Sequence, residues 1–194
     1  MSDVIDKLAG IASGSALDRI RTLRPEARKH AEASYAALFE PRHWGGVSAA
    51  ERFAVALFVC GLHSEPHAEA HYAQRLSDPA LKAAVMAEIA AAKTTGPYGR
   101  YPKGPLSTED TPGPGYKAGA AARAALGPRL AAAFEHTHML VFHPRDAAPP
   151  SLQNLLDAGW QTTDIVTLSQ LVSFLAYQIR VVAGLRVLNA KVPA

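Results

Sequence analysis

The chain has 194 residues, 48% of them hydrophobic, 7% aromatic and 19% charged, with 20 basic against 17 acidic residues and a formal net charge of +3. A mixed charge without Lys/Arg runs excludes a phosphate-tracking nucleic-acid surface. A single cysteine excludes an intramolecular disulfide and a Cys-x-x-Cys redox pair within the chain. The alanine-rich composition favours closely packed helices in one domain over 1–194.

In chain order, Ser2 is placed to cap a helix over Asp3 to Ile11, and Gly14-Ser15 breaks it. Ala16 to Leu23 follows. Pro25 opens a helix at its favoured early position, ending at Phe39 before Pro41, Gly45 and Gly46. Ser48-Ala49-Ala50-Glu51 has capping-box spacing and precedes the apolar run FAVALFV, so Ala49 to about Leu62 reads as a buried central helix. Ser64 is the expected cap of the next helix, residues 65–76, with Pro66 in its first turn. Asp78-Pro79 starts another, to about Lys93.

Residues 94–117 carry five prolines and five glycines, which no helix or central strand survives. A connection of this length suits a lid or an arm. The tyrosines Tyr98, Tyr101 and Tyr116 suggest an arm laid on a neighbouring subunit. Helix resumes near Ala118 and runs to Phe142, interrupted at Gly127-Pro128. Ser151 is placed to cap a short helix that ends at Gly159. Thr162 or Thr163 is expected to cap the last and strongest helix, running to about Leu188. No stretch alternates as a strand does, so the fold class is all-α with about eight helices. No apolar run is expected to reach the ~18 residues of a membrane span, and the N-terminus lacks a signal-peptide pattern, which points to the cytoplasm.

Gly46-Val47-Ser48-Ala49-Ala50-Glu51 precedes the central helix. Gly159-Trp160-Gln161-Thr162-Thr163-Asp164 precedes the last one. Each combines a glycine, a large apolar residue, a capping hydroxyl and an acid, which suggests two related helical halves.

The densest chemistry is LHSEPHAEAHYA, with His63, His67 and His71 spaced four and four, and Cys60 just upstream. His67 and His71 have a helical zinc spacing, but the pattern His-Glu-x-x-His is missing, and no metal or cofactor is assigned. Glu65 and Glu69 read as solvated helix-face residues.

In order and spacing, Glu51, Ser64, His67 and His71 resemble the AhpD-like (carboxymuconolactone decarboxylase) superfamily. Its redox members carry an acid, then Cys-x-x-Cys-x-x-x-His at the next helix start. Ser64 and His67 stand where those cysteines would be, His71 on the family histidine, and Glu51 on the acid with one extra residue in between. Residues 152–184 look like the second-half signature of the peroxidase-related members, with Arg180 at its arginine. The resemblance implies an AhpD-like helical bundle and a homo-oligomer, trimer or hexamer.

Serine and histidine at 64 and 67 exclude the family's dithiol cycle. The expectation is acid–base chemistry on a small carbonyl substrate, with Glu51, Ser64, His67 and His71 converging and Arg52, Arg180 or Arg100 anchoring an anionic group. The alternatives are a peroxidase acting through Cys60 with an external thiol, a non-catalytic helical scaffold, and a metal-binding protein.

Overall fold

The computed structural model describes residues 3–191, and they form an all-α fold. Among the described residues nine α-helices run in the order α1 (Val4–Ala9), α2 (Ala16–Thr22), α3 (Pro25–Phe39), α4 (Ala49–Leu62), α5 (Pro66–Arg75), α6 (Pro79–Ala92), α7 (Ala120–Phe142), α8 (Pro149–Asp157) and α9 (Thr162–Asn189). Ser2, expected to cap α1, lies outside the described residues. Asp3 caps this helix, its carboxylate accepting from the Asp6 amide at 2.8 Å. Gly10, at φ 70°, ends it in the left-handed region that glycine tolerates.

α4 is the axis of the molecule because its sequence leaves almost nothing polar to expose. Every residue from Arg52 to Leu62 is buried, and α5, α6, α7 and α9 pack around them. Phe58 stacks on Phe134 of α7 with centroids 4.2 Å apart, while Phe39, Phe53 and Tyr72 tie α3, α4 and α5. Burial of each such side chain contributes about 1.5–3 kcal/mol. α6 comes close at Gly61, where any β-carbon would run into Ile89.

Five sequence expectations change. α9 starts at Thr162 with Gln161 as its cap, so neither Thr162 nor Thr163 caps it. α8 starts at Pro149 with Ala148 before it, so Ser151 lies inside the helix and caps nothing. α5 starts at Pro66 with Glu65 as its cap, not Ser64. The proline-rich segment 94–117 folds back on its own chain. The Tyr98 amide donates to the Phe142 carbonyl, Gly99 pairs with Thr111, and Pro105–Glu109 forms a 3-10 turn. Its tyrosines face this chain too: Tyr98 packs on His143, Tyr101 on the Arg145 guanidinium, and Tyr116 on Phe58 and His138.

Finally, α9 is long and apolar enough to cross a membrane by length and composition, contrary to the expectation that no segment would be. In this fold 39% of that apolar window is buried. The buried side, from Ile165 through Leu168, Leu175 and Val182, packs on α4, α1, α7 and α3.

Candidate functional site

The two ends of α4 carry the chemistry. At its N-terminal end Ser48 caps the helix and Glu51 reaches back, its Oε2 accepting from the Ser48 amide at 2.8 Å and hydroxyl at 2.9 Å. Glu51 Oε1 accepts from Arg129 Nε at 2.6 Å. Arg129 stands on the first turn after the break at Gly127, where φ is 76° and the second part of α7 begins with Pro128. Its guanidinium also donates to the carbonyls of Gly159 at 2.6 Å and Gly46 at 2.7 Å, and to Asp164 Oδ2 at 3.3 Å. It lies 4.1 Å over the Trp160 ring, whose Nε1–H donates to the Arg129 carbonyl at 2.9 Å.

One arginine therefore joins the two similar sequence stretches. The glycine carbonyl and the helix-start carboxylate of each both bond to it. Gly46 admits no side chain, because a β-carbon there would collide with the Asp164 carboxylate. Nothing local in the sequence singles out Arg129, although the twice-repeated glycine-to-acid spacing was a signal that two acids await a common cation.

This clamp occupies the Glu51 carboxylate fully. The far end of α4 is about 20 Å away at ~1.5 Å of rise per residue, so Glu51 cannot meet Ser64. Arg52 is equally committed. It is buried, and it donates to the carbonyls of Val47 (3.1 Å), Leu38 (2.8 Å) and Trp44 (2.6 Å), which closes the α3–α4 connection. Burial holds its pKa below the usual arginine value. The substrate-anchor role expected of Arg52 gives way to this structural one. Arg100 lies in the proline-rich segment, where its amide donates to Asp146.

At the C-terminal end of α4 the chain turns sharply. Ser64 is exposed and adopts φ 57°, the non-glycine residue in the left-handed region among those described. Such a conformation costs about 1–2 kcal/mol and is held by its surroundings. Here the Glu65 amide bonds back to the Cys60 carbonyl at 3.2 Å. Glu65 then caps α5, accepting from the Ala68 amide at 2.6 Å. Its carboxylate is only 7% exposed and bonds His67 Nδ1 at 3.1 Å. The expectation of a solvated Glu65 is thereby corrected. A cap two residues before a histidine, ahead of a proline at N1, places acceptor and imidazole on one turn. The His67 side chain remains 44% exposed.

His71 points elsewhere. Its Nε2 lies 3.1 Å from the Tyr35 hydroxyl, and its ring meets Tyr72 edge-on. Burial, helped by the charges of Arg75 and Lys7, pushes its pKa down to about 4, so it is neutral near pH 7. Tyr72 in turn donates to Gln178 of α9 at 2.7 Å. Cys60 is fully buried, and burial together with Glu65 and Glu69 drives its thiol pKa well up, opposite to what a reactive thiolate needs. Arg180 is exposed beside this end, and its charge, after burial, lowers the pKa of His63.

The expected four-residue convergence thus separates into three places: Glu51 in the arginine clamp, His71 against Tyr35, and Ser64 and His67 at the α4–α5 corner with Glu65. The cavities of about 810, 350, 320 and 230 Å³ are lined by none of these four side chains. Among the described residues no group of three or more His, Cys, Asp or Glu side chains is placed to hold a metal ion. In comparisons with known proteins, no family model, curated protein or solved structure matches the chain.

Proposed function

We propose that this chain is an AhpD-like (carboxymuconolactone decarboxylase-type) protein that performs acid–base chemistry without a dithiol, at the corner between α4 and α5. The observation that carries the reading is the bond from the buried Glu65 carboxylate to His67 Nδ1. A carboxylate on Nδ1 keeps the proton there and leaves Nε2 as the basic nitrogen. His67 is half exposed, so Nε2 can meet a substrate from solvent.

The substrate class is a small carbonyl compound with an acidic α-hydrogen. His67 Nε2 removes that proton. The imidazolium is stabilised by Glu65, and the enolate oxygen accepts a hydrogen bond from the exposed Ser64 hydroxyl. Proton return to carbon gives isomerisation or exchange. Decarboxylation reaches the same kind of enolate without that deprotonation: a carboxylate on the α-carbon leaves as carbon dioxide, its bonding pair passes to the carbonyl, and His67, protonated from solvent, returns a proton to the carbon. Arg180, exposed beside the same end of α4, is the cation that suits an anionic substrate group. The resemblance also supports a homo-oligomer, trimer or hexamer, and light scattering on the purified chain measures that assembly.

The test is deuterium exchange. A panel of small 2-oxo acids and lactones in heavy water, followed by proton NMR, should show protein-dependent loss of an α-proton signal. His67→Ala should slow that loss by about 100-fold or more. Exchange that persists in this variant would remove the base from the proposal. The buried thiol makes the Cys60 peroxidase the weaker alternative, and peroxide consumption abolished by Cys60→Ser would revive it.

A further inference from the structure

A groove with a different chemistry runs between α3, α8 and α9 and shares no residue with the α4–α5 corner. Its volume is about 810 Å³, within the range of small-molecule sites. No charged side chain lines it, in a chain where 19% of residues are charged. Leu152 and Leu156 of α8 and Val166 of α9 line it while 46%, 42% and 53% exposed. Apolar side chains gathered on one exposed concave surface mark a binding site more often than a solvated face.

One end of the groove leads to a buried histidine. Through Leu152 and Ser169 it continues into a second cavity of about 350 Å³, walled by His136, Leu140 and Pro149. His136 is 5% exposed, with Nε2 3.4 Å from Ser169 Oγ. The Ser169 hydroxyl donates its only proton to the Ile165 carbonyl at 2.9 Å, so towards His136 it can only accept. His136 Nε2 therefore carries the ring proton, and Nδ1 is a bare acceptor. That Nδ1 is buried and has no hydrogen-bond partner. Burial also lowers the His136 pKa, which keeps the ring neutral. Above it, α8 is anchored in the core by Leu155, its one buried side chain.

We propose that this groove binds a neutral amphiphile, with an apolar chain along α3, α8 and α9 and a terminal hydroxyl that donates to His136 Nδ1 when α8 shifts outward. A carboxylate head would bring lone pairs against a lone pair. An ammonium head would find no counter-charge in the walls.

The experiment is a carbon-resolved NMR titration of the full chain with n-decanol and, at pH 7.5, with decanoate. n-Decanol should bind saturably and shift the Leu156 and Val166 methyls and the His136 ring, with decanoate at least about tenfold weaker. Leu156→Arg should abolish binding. His136→Phe, which keeps a ring in place, should weaken n-decanol by roughly fivefold to tenfold, the worth of one neutral hydrogen bond. The proposal fails if n-decanol does not saturate, if Leu156→Arg leaves its affinity unchanged, or if decanoate binds equally well. It also fails if the same methyls shift on dilution of the ligand-free protein and Leu156→Arg stops that shift. The groove would then join two copies of the chain.

Discussion

The two ends of α4 have similar ingredients and opposite outcomes. At the N-terminal end, acids, an arginine and carbonyls satisfy one another, and a tryptophan covers the guanidinium. At the C-terminal end, a carboxylate is bonded but the imidazole it holds is half open to water, next to a serine in a strained conformation. A closed polar network holds elements together. A network with one basic atom left over can do chemistry. The Glu51 and Glu65 carboxylates illustrate the difference: one is spent on cap and clamp, the other on cap and imidazole.

The sharpest break of this comparison is Arg129→Ala. It leaves Glu51 and Asp164 without their cation and two carbonyls without their donor, so stability in urea denaturation should fall by about 3 kcal/mol, with part retained in Arg129→Lys. Exchange activity per folded molecule should be unaffected, because the clamp sits at the other end of α4. A loss of less than ~1 kcal/mol would show that the clamp does not hold the two helix starts together.

The next effect is pH dependence from His71. Its folded pKa, about 4, lies below the ordinary histidine value of 6.5, so protons bind the unfolded chain more readily. Stability from this group is complete above about pH 6.5 and declines as pH falls towards 4. A tenfold difference in proton affinity corresponds to ~1.4 kcal/mol, so after discounting for partial exposure the decline should be about 2 kcal/mol. His71→Gln should flatten that part of the stability–pH curve. His63, His136 and His138 are lowered in the same direction and contribute the slope that remains.

Glu65→Ala should cost about 1 kcal/mol, the worth of an N-cap, and should lower exchange activity by releasing His67. The Glu51→Ala variant removes the capping-box acid and one ion pair of the clamp and is expected to leave activity per folded molecule intact, which separates the two ends of α4 directly. The smallest change is Ser64→Gly. Relief of the positive φ, partly offset by the added freedom of the unfolded chain, should stabilise the protein by about 0.5–1 kcal/mol. Slower exchange in a more stable variant would assign a catalytic use to the hydroxyl.

Periodicity and punctuation in the sequence determined the helices by themselves. Capping-box spacing located the start of α4, the prolines and glycines of 94–117 excluded regular structure, and Gly127-Pro128 marked the break in α7, because these are local effects of backbone sterics and hydrogen bonding. Caps that depend on a single side chain were less legible: Glu65 displaced Ser64 because the chain enters the left-handed region one residue earlier. Which side chains meet was decided only in three dimensions. Four-residue spacing put His67 and His71 near one face of α5, but the packing of α3 gave His71 to Tyr35, and the length of α4 carried Glu51 away to Arg129, 78 positions later in the chain. The choice among partners for a carboxylate or an imidazole is made by helices that pack from distant parts of the sequence, and no local pattern contains it.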